Sequence, residues 1–396
     1  MRPGTPGFVG YRLREAREAR GMTAIALADI LGITRAAVSQ YENGHQSPSP
    51  EIMRQVSHVL NSPVQRFLRP ADSSRDRGVI FYRCMSSATK RARSRAERRY
   101  EWLREISCFL EKYARFPDVQ FPQFELPDNP EQLDHDRIDD LATEARRFWG
   151  LGDGPISNVT WLLENNGAIM CRCELEAATL DAFSEWHPSD RRPFIILASD
   201  KDSAARSKFD AAHELGHMLL HRKVMPSLLN HNSSFSLLEA QANRFASSFL
   251  LPSASFGNEF YAPSLDALRS LKERWGISIA AMIMRAADLR LVTEDQQKKM
   301  WINLARRKWK TREPLDDIVE PERPRFLRRC LELLLEKRVI SAQEISFQLG
   351  ISASDIERLI GLEPGRLSGH QLPVEIVGDN PLDDDSGQII RFPRTA

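Results

Sequence analysis

The chain has 396 residues, with 55 Lys and Arg against 54 Asp and Glu and a formal net charge of +1. That length fits two or three domains, the 42% hydrophobic content is ample for packed cores, and the balanced charge excludes a polycation built along its whole length to hold nucleic acid. There is no apolar run long enough to span a bilayer and no apolar core segment at the N-terminus, so we expect a cytoplasmic protein with no membrane partner and reduced thiols.

Residues 8–68 alternate short helical patterns with tight breaks. Arg12–Ala19 reads as one helix, ended by Gly21, and Thr23–Leu31 as a second, ended by Gly32. Thr34 can N-cap a third that runs to Asn43 and Gly44. A helix, a short glycine turn and a capped helix make the helix-turn-helix pattern. The third helix keeps Ala37, Val38 and Tyr41 for packing. It offers Arg35, Ala36, Ser39 and Gln40 outward as the DNA-binding set, since Arg suits guanine and Gln suits adenine in the major groove of double-stranded DNA. The alternative is a small helical bundle acting as a protein–protein module. Thr34-x-x-x-Val38-Ser39-x-Tyr41-Glu42-Asn43-Gly44, followed by Ser47-Pro48-Ser49, resembles the signature of the lambda-repressor-like (Xre) family. That resemblance implies a homodimer on an operator-like inverted repeat. One departure is Ala24, where the family usually carries a Gln that braces a phosphate contact.

Residues 69–79 form a polar linker. Arg83, Lys90, Arg91, Arg93, Arg95, Arg98, Arg99 and Arg104 then crowd one helical stretch, against Glu97 and Glu101. Such a helix either adds phosphate contacts beside the DNA-binding unit or is a solvated face. A Pro-rich stretch, 116–130, follows. Strand-like runs occur at 168–175 and 194–199. Cys171 and Cys173 fall on one face of the first and read as packing residues, because neither Cys84, Cys108 nor Cys330 completes a metal set.

The most informative stretch is Ser207–His221, which contains His213-Glu214-x-x-His217. Helical spacing puts both imidazoles on one face, one turn apart, within reach of a single metal ion. Glu214 then sits where it can take a proton from a water activated by that metal. The alternative is an ordinary helix with two half-buried histidines. A catalytic zinc needs a third ligand. A second helical pattern, Ser236–Leu251, ends at Pro252 and carries Glu239 beside its apolar face. Asn243, one turn on, can hold a ligand histidine from behind. His221 and His231 are rival third ligands; His221 reaches the metal only if the helix bends.

These residues, with Glu239-x-Gln241-Ala242-Asn243-x-Phe245-Ala246 and Leu250-Leu251-Pro252, resemble the ImmA/IrrE family of zinc metallopeptidases. Phe148-Trp149-Gly150-Leu151-Gly152 through Ile156, and Leu163-Glu164-x-x-Gly167-Ala168-Ile169, look like the start of that domain. The resemblance covers roughly 135–255 and implies that His213, His217 and Glu239 bind zinc (Zn2+), that Glu214 is the general base, and that the substrate is a helix-turn-helix repressor. Gln241 departs from the family, many of whose members carry Glu there.

Leu265–Trp275 and Ile279–Leu289 continue as helical patterns. Ile345–Leu362, with a turn at Gly350, is similar to a second helix-turn-helix, but Asp355 and Glu357 on its second helix repel phosphate. The tail holds Asp379 and Asp383–Asp385. We therefore expect a mainly α fold with a small β-sheet (α+β). It divides into a helix-turn-helix domain (1–70), a basic helical linker region (71–130), a zincin-like metallopeptidase domain (131–300) and a helical C-terminal region with an acidic tail (301–396). The function expected is a DNA-binding regulator whose zinc endopeptidase hydrolyses a regulatory protein, the chain itself included. Residues 194–199 would offer a sheet edge to an extended substrate, and Tyr261 and His231 are candidates to stabilise the oxyanion. The alternative is a transcription factor or antitoxin whose peptidase-like domain only senses zinc or a ligand.

Overall fold

Side-chain caps set most of the helix starts. In the N-terminal unit, α1 (Gly10–Ala19), α2 (Ala24–Leu31), α3 (Arg35–Glu42) and α4 (Pro50–Val59) follow one another closely. The hydroxyls of Thr23, Thr34 and Ser49 accept backbone N–H bonds at the starts of α2, α3 and α4. Gly32 closes α2 in the left-handed region, φ +64°, which a side chain would strain. Leu13, Ala16, Leu27, Val38, Met53, Val56 and Phe67 form its core. The computed structural model describes residues 4–70, 80–82, 89–175, 181–199, 203–224 and 232–369. Arg83, Cys84, His231, the acidic tail and most of the expected linker lie outside them.

A mainly α chain is built around one small sheet. Its strands are β1 (Ile80–Tyr82), β2 (Ile169–Cys173), β3 (Ala182–His187) and β4 (Arg192–Ala198), in the order β1-β3-β4-β2. β2 runs parallel to β4, and β3 is antiparallel to both of its neighbours. The central strand reads as an unbroken apolar run because both faces are covered. Met170, Ala182, Ile195 and Leu197 face one core, and Cys171, Cys173, Phe183, Phe194 and Ile196 face another. Both cysteines thus pack in a core, as expected.

The first core is closed by α6 (His135–Phe148), α7 (Val159–Asn165), α8 (Ala204–Leu220), α9 (Asn232–Leu250), α10 (Ser253–Glu259), α11 (Leu265–Trp275), α12 (Ile279–Asp288) and α13 (Glu294–Arg306). The second is closed by α5 (Lys90–Leu110), α14 (Phe326–Glu336), α15 (Ala342–Leu349) and α16 (Ala353–Ile360). Segments from 71–130 and 301–396 therefore meet on the outer face of the sheet. Among the described residues, no helix is long and apolar enough to cross a membrane.

Much of the basic helix α5 is turned inward. It is a spine between the N-terminal unit and the sheet. Arg95 and Arg99 are buried. Arg98 pairs with Glu18 and Glu101 at 2.8 Å, and Arg104 pairs with Asp190 at 2.5 Å. Lys90 and Arg91 stay exposed. Against the N-terminal unit, Arg66 and Glu15 are 1% and 0% exposed and joined by an ion pair, with Glu105, Arg12 and the Trp102 indole in the same cluster. The second helix-turn-helix shape, α15–Gly350–α16, is packed away. Ile356, Leu359 and Ile360 lie in the second core, and Asp355 pairs with Arg20.

Candidate metal centre

α8 begins at the Ser203 cap, and its central residues are buried on every side, from Asp210 to Leu220. A helix so enclosed needs close neighbours. Gly216 supplies the closest approach: a Cβ there would sit 3.1 Å from the Ala242 carbonyl and 3.3 Å from Phe245 Cβ. The missing side chain lets α9 lie against α8, which brings Glu239 and Asn243 to the histidines.

His213 Nε2 and His217 Nε2 lie 3.0 Å apart. Glu239 places Oε1 3.1 Å from His217 Nε2 and Oε2 3.6 Å from His213 Nε2. Three donors so spaced fit one tetrahedral cation, whose bonds of about 2.0–2.1 Å put ligand atoms roughly 3.3 Å apart. Among the described residues, this is the group of His, Cys and carboxylate side chains that could hold a metal ion. Both imidazoles are buried, and the Glu239 side chain, 18% exposed, is the member that meets solvent. Burial would raise the Glu239 carboxyl, but hydrogen bonds and charge from His213 and His217 hold it well below the usual carboxylate range.

Each imidazole is gripped from behind. His213 Nδ1 lies 2.9 Å from Asn243 Oδ1, where a partner from one turn beyond Glu239 was expected. His217 Nδ1 lies 3.0 Å from His221 Nδ1, and His221 Nε2 lies 3.0 Å from Gln241 Oε1. His221 is therefore not among the converging donors. α8 ends at Leu220 without the bend that would turn His221 toward them. Burial, then the charge of His217, pushes the His221 imidazole well below its usual range, so it is neutral. Gln241 points away from the cluster, and its amide nitrogen donates to the Pro130 and Leu133 carbonyls at 2.7 and 3.2 Å. The Glu-to-Gln departure thus leaves the donor set untouched.

Glu214 is fully buried one residue after His213, and its Oε2 accepts a 2.6 Å hydrogen bond from Ser184 on β3. Sequence motifs gave no sign of Ser184, because nothing local to residues 182–187 links them to α8. Residues 194–199 do not form an edge. β4 is paired on both sides, with β3 and with β2. The side of β3 remote from β4 is taken by β1, with Phe81 opposite Ser184. Tyr261 is 69% exposed beyond α10, and His231, as rival ligand or oxyanion group, lies outside the described residues.

In the N-terminal unit, Arg35, Ala36, Ser39 and Gln40 are all exposed on α3, while Val38 is fully buried. Glu42 of the same helix is turned inward and accepts from Arg17 Nε at 2.5 Å, so that signature residue braces α1 against α3. Asn43 is the exposed neighbour, 2.6 Å from Arg14.

Comparison with known proteins agrees with this division. Residues 13–67 match the helix-turn-helix family, and residues 164–287 match the peptidase M78 family, described as the IrrE N-terminal-like domain. An uncharacterized HTH-type transcriptional regulator of Bacillus subtilis (strain 168), RghRB, is 36% identical over 63 residues, which is 16% of this chain and 45% of that relative. The chain thus spans less than half the length of that relative. With a His-His-Glu cluster on α8 and α9 and an exposed face on α3, the chain carries a helix-turn-helix domain and a domain similar to the IrrE-like peptidase M78 family.

Proposed function

We propose that the chain is a DNA-bound zinc endopeptidase that cuts a regulatory protein, a helix-turn-helix repressor by resemblance, and so controls genes near its binding site. The observation that carries this reading is the convergence of His213, His217 and Glu239 on one point, with the Glu214 carboxylate on the same helix. Those three residues would hold zinc, which when bound would supply Lewis acidity toward a water and the scissile carbonyl. Glu214 accepts the water proton and passes it to the leaving amine. The Ser184 hydroxyl holds the Glu214 carboxylate, and Asn243 holds the His213 ring. An extended substrate segment pairs along β3, in the place that β1 takes in this structure. The helix-turn-helix unit brings the chain to an inverted repeat as a homodimer.

In the competing reading, the cluster senses zinc and nothing is cut. A sensor needs ligands but no general base, and the buried, hydrogen-bonded Glu214 favours the enzyme. The test is purified chain with zinc, mixed with the repressor encoded beside its gene, with fragments read by mass. Glu214→Gln should take up zinc like the natural chain and cut at least about 100-fold more slowly. If neither form cuts that repressor or its own chain, the sensor reading replaces this one.

A further inference from the structure

We propose that His221 and Gln241 are positioning residues, which hold His217 in the tautomer that turns its Nε2 lone pair toward His213 and Glu239. This rests on the reading of that cluster as a zinc site. The argument starts from atoms whose roles are not ambiguous. The carbonyl oxygens of Pro130 and Leu133 can only accept hydrogen bonds, so the group facing them at 2.7 and 3.2 Å is the Gln241 NH2. The Gln241 oxygen must then face His221 Nε2, 3.0 Å away. An amide oxygen also only accepts, so His221 Nε2 carries the proton. His221 is fully buried, and its neighbours Gln241 Oε1 and His217 Nδ1 are uncharged groups that could not offset a buried imidazolium, so its Nδ1 is bare. His217 Nδ1 lies 3.0 Å from that bare nitrogen, and one proton must sit between the two. It belongs to His217. His217 Nε2 is thereby left with a lone pair, 3.0 Å from His213 Nε2 and 3.1 Å from Glu239 Oε1.

A neutral histidine side chain in water prefers the opposite form, with the proton on Nε2. Here the backbone of residues 130–133 decides the matter through two side chains. The usual partner behind a ligand histidine is a carboxylate or a carbonyl. In this chain a second, neutral histidine does that work, so the ligand's orientation depends on two buried residues outside the donor set.

The test has two arms. In the full, metal-free chain with 15N-labelled histidine, nitrogen–proton correlation spectra recorded above the imidazole titration range should show His217 with Nδ1 protonated. A bare His217 Nδ1 would overturn the proposal without any variant being made. In the second arm, zinc affinity is measured by competition with a chelator. His221→Phe removes the acceptor and should weaken binding about 10- to 100-fold. His221→Asn keeps an oxygen where Nδ1 stands and should restore affinity to within a few fold. Gln241→Leu frees His221 to change tautomer and should cost about 10-fold. Equal affinities in the Phe and Asn variants overturn the proposal. If the natural chain binds no zinc, the peptidase reading falls, while the spectra still decide the tautomer.

Discussion

The Ser184 hydroxyl donates to Glu214 Oε2 at 2.6 Å and so ties β3 to the middle of α8. Both residues are almost wholly buried, so the bond fixes one rotamer of the carboxylate. A hydrogen bond to a charged group is worth roughly 1.5–3 kcal/mol. Ser184→Ala should therefore lower kcat/KM about 10-fold or more and leave zinc content unchanged. Metal analysis and cleavage rates on one preparation check both halves; an unchanged rate removes Ser184 from the site.

The cluster of Arg66, Glu15, Arg12 and Glu105 joins the helix-turn-helix unit to α5. Removing one partner leaves a buried charge uncompensated, at a cost of about 3–5 kcal/mol. Glu15→Ala should unfold at a clearly lower temperature than Glu97→Ala, which alters a half-buried residue of the same basic helix. Calorimetry on the full chain decides it: equal shifts would mean that the ionic cluster is not what secures this interface.

Glu164 is buried, which pushes its carboxyl from 4.5 up to about 7, against the lowering effect of N–H bonds from Arg325 and Phe326. The folded value lies above the unfolded one, so the folded chain binds the proton more tightly. Stability contributed here is greatest at low pH and falls as pH rises from about 4.5 to about 7. The full effect is on the order of 3 kcal/mol. The melting temperature of Glu164→Gln minus that of the natural chain should climb across that window and level off above it. A difference that stays constant with pH would refute this account.

Arg35 and Gln40 are exposed on α3, so changing both should leave the fold intact. Arg35→Ala with Gln40→Ala should erase preference for the operator, at roughly 1–3 kcal/mol for each good base contact, and spare binding to unrelated DNA. Arg98 is held in internal pairs with Glu18 and Glu101, so Arg98→Ala should shift stability more than the salt slope. Paired salt titrations on operator and unrelated DNA read both effects. If the double variant discriminates as well as the natural chain, α3 does not read the bases.

Local rules carried much of this protein. The caps at Thr23 and Thr34, the turn at Gly32, the outward set on α3, and the His213–His217 and Glu239–Asn243 spacings all depend on residues within a turn or two of each other. Helical periodicity alone puts such residues on one face. Tertiary structure decided what lies between those faces. β4 pairs with β2 as well as with β3, which leaves it internal, and the packing of β3 on α8 makes Ser184 the neighbour of Glu214. The arginines of α5 read as a charged stripe because their partners, Glu18 and Asp190, come from other elements. His221 was legible as the next step of an i, i+4 repeat, but its role was not. Whether that imidazole binds a metal or braces one that does depends on which side Gln241 and the 130–133 backbone occupy, and only the packing of α9 against α8 sets that.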